Sequence, residues 1–260
     1  MRVQITNYSN MEHPIVTIYK AYRLCYSKGE QCDIMLPTLE NGELDLEKMG
    51  KFITSLVAKG HTTPLEHVSF TFELSGVSRA LTHQLVRHRT GKYNQQSQRY
   101  CKLGQFDYVM PPRIREDVAL KNRFIQEMNR DQEAYEFLTE GLMRNALIKE
   151  GLMEHHETLA QVKERNKGAY LKYEKIAIED ARYVFPNSCC ANITVTMDLN
   201  NFRKFYNLRN CTHAQWEIQE LAREMGKQVT KIIPFALKGA MNCGKTCFDC
   251  VRGANNYDVY

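Results

Sequence analysis

The sequence predicts an α+β fold, a small antiparallel sheet with long helices. Two short segments, 67–74 and 191–199, alternate apolar and polar residues as half-buried strands do. Between and after them run segments whose apolar residues recur at helical spacing, one of them very long. The 260 residues are 43% hydrophobic, enough for one sizeable core or at most two small ones. No linker stands out, so one domain over 1–260 is the expectation.

VQITNYS (3–9) is short and extended in character. Residues 14–27 read as a helix with Pro14 near its start. Residues 45–58 read as another, and GHTTP (60–64) as a turn. In HVSFTFEL (67–74), Val68, Phe70, Phe72 and Leu74 share one face, against Ser69, Thr71 and Glu73. Residues 77–88 switch to helical spacing, with Val77, Ala80, Leu81 and Leu85 on one stripe, and Thr90-Gly91 breaks it. PPR (111–113) is a loop. Residues 115–181 are polar helical material with breaks near Gly151 and Gly168, ended by Pro186. In ANITVTMDL (191–199), Ala191, Ile193, Val195 and Met197 alternate with Asn192, Thr194 and Thr196. Thr212 to Gln215 has the form of a capping box, and Ala214, Ile218, Leu221, Met225 and Val229 carry a helix up to Pro234.

Composition narrows the function classes. No apolar run is long enough to span a bilayer, and the first residues lack the apolar core of a signal peptide. A cytoplasmic protein with no membrane partner is expected. Nine cysteines are an odd count, so no disulfide framework is expected. Cys243, Cys247 and Cys250 form a Cys-rich tail at 243–250 with zinc-compatible spacing; no fourth ligand is evident nearby, leaving Cys189, Cys190 or another copy of the chain to supply one. Free thiols and no metal are the expectation there. The net charge of +5 suits an anionic small ligand or nucleic acid, and extended basic runs are absent.

Chemistry concentrates in RHRTGKYNQQSQRY (87–100). Two readings stand for Arg87, His88 and Arg89. They complement the C-terminal dipole of a helix, or they fan into one pocket. The continuation Tyr93, Asn94, Gln95, Gln96, Ser97, Gln98, Arg99 and Tyr100 offers donors and acceptors suited to a nucleotide. Arginine forks match phosphate oxygens bidentately. Ser97 has no Gly-x-Ser-x-Gly elbow around it and no identifiable activating base, so it is no nucleophile.

Arg87-His88-Arg89 followed at the family's spacing by Ser97 resembles the signature of the flavin-dependent thymidylate synthases. GHTTPLEHVSFTFEL, Ala181-Arg182 to Pro186, and NLRNCTHAQWEIQ (207–219) resemble three further ordered segments of that family. The resemblance implies a homotetramer with FAD sites built by several chains. It implies methylation of dUMP to dTMP, with methylenetetrahydrofolate giving the carbon and NADPH reducing the flavin, which carries the methylene. It makes Arg209 the catalytic residue. FAD contacts fall to Thr63, Arg87, His88, Arg89, Gln95, Asp198, Asn200 and Lys204. His61 and His67 flank Thr63, and His61 is favoured as a lining residue. dUMP contacts fall to Gln84, Arg87, Gln95, Gln96, Ser97, Gln98, Arg99, Arg182 and Arg209.

The sequence departs from the family pattern at Lys92, Asp198, Asn200 and Lys204, and its helical stretch is longer, implying an insertion at about 130–170. Two rivals stay open. One is a related flavin enzyme that hydroxymethylates the pyrimidine. The other is a basic nucleic-acid-binding module using Tyr93 and Tyr100 for stacking; nucleic acid is not expected, because the cluster is compact and the charge modest.

Overall fold

The computed structural model of the chain describes residues 1–8, 12–30, 33–99, 106–211 and 213–240. It divides into two compact units, each described by itself. Met1–Val77, Leu81–Asn94 and the chain from Asn192 form the first; Ser78–Ala80 and Gln95–Ala191 form the second.

The first unit is built on a four-stranded sheet in the order β1-β2-β4-β3. The strands are β1 (Arg2–Tyr8), β2 (Ser69–Ser78), β3 (Lys92–Gln95) and β4 (Cys190–Asp198). β1 runs antiparallel to β2, placing Ile5 opposite Phe72. The expected alternation holds: Val68, Phe70, Phe72 and Leu74, with Ile193, Val195 and Met197, are all buried. On the polar face the hydroxyls of Thr71 and Thr196 meet at 2.9 Å. Period-2 side chains can bury one face only, which fixes the register.

Helices α1 (Pro14–Leu24), α2 (Leu46–Ala58), α8 (Leu199–Arg209) and α9 (Trp216–Ile232) join the sheet in one apolar cluster. Asp45 starts α2 by accepting from Lys48 N at 2.8 Å. From α9, Gln228 satisfies the outer edge of β1. Its Oε1 accepts from Ile5 N at 2.6 Å, and its Nε2 donates to Val3 O at 2.7 Å. One side-chain amide thus occupies backbone groups that would otherwise recruit another strand.

Helix α8 is absent from the sequence expectations. Its signal is the stripe Phe202, Phe205 and Tyr206, all 5% exposed or less, in an otherwise polar stretch. Phe202 stacks on Phe72 with ring centroids 5.7 Å apart. The helix approaches α9 closely at Gly226, where a Cβ would lie 2.6 Å from Tyr206 Cε2.

The second unit is helical: α4 (Pro112–Arg115), α5 (Val118–Lys149), α6 (Leu159–Arg165) and α7 (Lys167–Ala181). α5 buries Met128, Gln132, Tyr135, Thr139, Met143 and Leu147, a stripe at three- and four-residue steps. Tyr135 packs with Ile178 and Ala181 of α7, while Leu147 joins Met153, Val162 and Tyr173. Phe106, Met128 and Cys189 form a third cluster.

Several expected boundaries move. The 111–113 loop runs into one helical turn, α4, because Pro112 sits in its first turn, where a missing N–H costs nothing. The long helical stretch breaks at Gly151, which takes φ of 67°, but its second break is at Asn166 rather than Gly168. Asn166 ends α6 and caps α7 by accepting from Ala169 N, leaving Gly168 inside the first turn. The cap of α9 is Gln215, not Thr212: Gln215 Oε1 accepts from Glu217 N and Ile218 N, so the helix starts at Trp216. Thr212, Tyr100 and the tail cysteines Cys243, Cys247 and Cys250 lie outside the described residues. Among the described residues, no helix is long and apolar enough to cross a membrane, and no cluster of metal-ligating side chains occurs.

Candidate active site

In the first unit the site grows from the end of α3 (Arg79–Leu85). The helix stops after Leu85, and two tight turns carry Arg87, His88 and Arg89. His88 N donates to Leu85 O at 3.1 Å, and Gly91 N donates to His88 O at 2.9 Å. Tyr93, entering from β3, donates its hydroxyl to the same His88 carbonyl at 2.7 Å. Burial pushes the Tyr93 phenol up to about 12, so it remains a donor. Gly91 is required for this crossing, since a Cβ there would lie 2.6 Å from Tyr93 Cζ and 3.0 Å from Met197 Cε.

Arg209, the last residue of α8, comes to this turn. Its Nε donates to His88 Nε2 at 2.8 Å. Its Nη groups reach Gln84 only at long range, 3.5 Å to Oε1 and 3.4 Å to the backbone carbonyl. His88 is held edge-on against Phe205 at 5.0 Å and 83°. Phe205 lies four residues before Arg209 on α8, so one helix face supplies both ring and guanidinium. Among the described residues, no carboxylate forms an ion pair with Arg87, Arg89 or Arg209. Arg87 and Arg89 are exposed. The result is a patch of uncompensated positive charge in which one guanidinium is fixed by neutral groups.

Burial, reinforced by the Arg209 guanidinium, pushes the His88 imidazole down to about 4 from its ordinary 6.5. The imidazole is therefore neutral at neutral pH, which is what accepting at Nε2 requires. In the window between those two values the unfolded chain holds a proton on His88 that the native chain lacks. Stability from this group is therefore constant above about 6.5 and falls as pH drops toward about 4. Urea midpoints measured across that window should show the decline, and His88→Gln should flatten it. An unchanged slope in His88→Gln would assign the acid sensitivity elsewhere.

The remaining expected contacts of the first unit are placed as follows. Thr63 opens a 3₁₀ turn, Thr63–His67, and Thr63, His61 and His67 are exposed. Asp198 is the cap of α8, accepting from Asn201 N at 2.9 Å and from Asn201 Nδ2 at 2.6 Å. Asn200 is buried, and its amide donates to Glu66 Oε1 at 2.7 Å. The side chains of Asp198 and Asn200 thus have structural partners, while Lys204 and Lys92 are exposed.

In the second unit Arg99 and Arg182 meet at Glu179. Arg99 Nη1 pairs with the Glu179 carboxylate at 3.1 Å, and Arg182 Nε donates to the Glu179 carbonyl at 2.9 Å. Ser97 Oγ accepts from Arg99 N at 3.2 Å, which shapes the turn after β3. Gln98 lies against buried Cys189, at 3.5 Å from its sulfur. Gln95 ends β3, and Gln96 follows it.

Phe205 and Glu179 are absent from the sequence expectations. Phe205 was legible as an aromatic one turn before Arg209; Glu179 carried no signal beyond lying near Arg182. A groove of about 730 Å³ lined by Ile15, Leu46, Gly50, Ile232, Phe235 and Leu237, among others, shares no residue with the Arg209–His88 cluster. Converging donors mark the site.

The family model described as thymidylate synthase complementing protein matches residues 7–235. A flavin-dependent thymidylate synthase of Clostridium tetani is 41% identical over 258 residues, covering 94% of each chain. One of Nitratidesulfovibrio vulgaris is 41% identical over 229 residues, covering 87% of this chain and 83% of its own. One of Pyrococcus furiosus is 32% identical over 236 residues, covering 89% and 80%.

Proposed function

Since the chain belongs to the flavin-dependent thymidylate synthase family, we propose that it methylates dUMP to dTMP, taking the carbon from methylenetetrahydrofolate and the reducing equivalents from NADPH through bound FAD. The observation that carries this reading is Arg209, held at its Nε by a neutral imidazole and paired with no carboxylate among the described residues. Carbon 5 of uracil is a poor nucleophile. It gains electron density when negative charge on the ring nitrogens and carbonyls is stabilised. A fixed guanidinium supplies that stabilisation without ever losing its proton.

The donor set fits a flavin dinucleotide. Arg87 and Arg89 are exposed forks with no carboxylate partner among the described residues, the chemistry a diphosphate needs. Thr63 and His61 present exposed polar side chains near the start of β2. When bound, the flavin supplies the hydride and carries the methylene, so no nucleophilic side chain is required of the protein. In this reading Arg87 and Arg89 hold the cofactor, with Gln95 contributing, and His88 lies beside it between them without carrying its affinity. Asp198, accepting at the α8 cap, and Asn200, donating to Glu66, act on it by shaping the start of α8 rather than by direct contact. The nucleotide contacts of this reading are Gln84, Arg87, Gln95, Gln96, Ser97, Gln98, Arg99, Arg182 and Arg209. A homotetramer in the cytoplasm completes the proposal, each site drawing on more than one copy.

The test is mass analysis of the nucleotide formed from dUMP, methylenetetrahydrofolate and NADPH by the FAD-loaded protein. A product heavier by one methylene is expected. A hydroxymethylated product would make the chain a relative with different chemistry. No product together with no bound flavin would overturn the reading.

A further inference from the structure

We propose that His88 is a positioning residue for Arg209: its neutral Nε2 accepts the Arg209 Nε–H and so fixes the guanidinium without discharging it. This rests on the reading of Arg209 given above and deepens it. Three features of the geometry carry it. First, the 2.8 Å bond to His88 is the one short hydrogen bond the guanidinium makes among the described residues, since both Gln84 contacts are 3.4 Å or longer. Second, the imidazole is itself immobilised. Its ring meets Phe205 edge-on, and its backbone carbonyl accepts from both Tyr93 and Gly91. Third, no carboxylate pairs with either partner among the described residues.

The choice of acceptor matters. A carboxylate in this place would hold the guanidinium more tightly, but it would neutralise the charge that the developing uracil anion needs. A protonated imidazole has no lone pair to accept with and adds a like charge. A neutral imidazole gives direction alone. The groups facing it agree: Arg209 and Phe205 from α8, Tyr93 from β3, Gln84 from α3, and Arg87 and Arg89 beside it. Each is cationic, uncharged, or, for Tyr93, neutral up to about pH 12. Accepting at Nε2 places the imidazole proton on Nδ1.

Two substitutions separate positioning from packing and from cofactor contact. His88→Phe keeps a ring against Phe205 and removes the acceptor; His88→Gln keeps a neutral acceptor and removes the ring. Flavin content is read from visible absorbance, and kcat and KM for dUMP from steady-state dTMP formation. We expect His88→Phe to keep flavin and KM within about threefold while kcat falls by about 100-fold. His88→Gln should regain about tenfold of that loss. Equal kcat in the two variants, or loss of flavin in step with kcat, would overturn the proposal, the second outcome leaving His88 a cofactor contact. Histidine-selective NMR of the unliganded wild-type and Arg209→Met proteins gives an arm independent of turnover and of the His88 variants' folding. The His88 imidazole is expected to titrate near pH 4 in the wild type and upward of that in Arg209→Met, which removes both the neighbouring charge and the donor; identical titrations would remove the coupling. A wild type that makes no dTMP would instead sink the functional reading while leaving this arm interpretable.

Discussion

Arg209→Ala is expected to keep flavin bound and to lose dTMP formation by about 10²- to 10³-fold, the cost of removing one preorganised donor from a developing anion. The side chain is half-buried, and burial pushes its pKa down, yet a guanidinium stays charged at any working pH. Partial burial is what makes the charge effective, since the same cation in open solvent would be screened. Its truncation removes no core packing: the buried stripe of α8 is Phe202, Phe205 and Tyr206, not Arg209. The protein should therefore fold and bind FAD normally, and the loss should fall on kcat. Arg209→Lys should do little better, because an ammonium has no Nε–H to offer His88 and no planar fork. Absorbance of bound flavin and quantified dTMP are the measurements. Full turnover by Arg209→Ala would show that uracil is activated by other groups.

Phe202→Ala should produce the largest loss of stability, about 3–5 kcal/mol, read as a lowered urea midpoint. Phe202 is completely buried, stacks on Phe72 of β2, and contacts Phe205 and Tyr206 along its own helix. Its removal leaves a cavity at the centre of the first unit, where the sheet and α8 meet. A loss of this size is a large fraction of the roughly 5–15 kcal/mol that holds a typical domain together. Phe202→Leu should cost less, because it retains most of the buried volume. A change in Phe202→Ala below about 1 kcal/mol would mean the site collapses around the void. The same substitution loosens the helix that presents Phe205 and Arg209, so residual folded protein should also turn over slowly.

Local patterns made part of this protein readable in advance. The alternation in 67–74 and 191–199 placed β2 and β4 and named their buried faces, since a period of two has one physical solution at a half-buried surface. The Arg87-His88-Arg89 turn was legible because a helix stripe ends at Leu85 and Thr90-Gly91 follows. Its neighbours were less so. β3 falls within a polar run with no alternation to reveal it, and becomes a strand by pairing at the sheet edge. α8 hides its apolar stripe among polar residues and is helical because Phe202, Phe205 and Tyr206 have a core to enter. At the start of α9 the local pattern put Thr212 at the cap and Gln215 three residues on, whereas the structure caps the helix with Gln215.

Sequence by itself determined which residue types were available: a histidine between two arginines, an arginine at 209, and amides at 84, 95, 96 and 98. Tertiary structure decided how they are used. Asn200 goes to Glu66, 134 residues away, and Asp198 goes to the cap of α8. Arg99 and Arg182 converge on Glu179. Arg209 meets His88 across 121 residues, and burial at that meeting keeps the imidazole neutral. A local window reports propensity and period, because those arise from neighbours along the chain. Hydrogen-bond partnership and proton affinity arise from neighbours in space, which exist only once the sheet and α8 have packed.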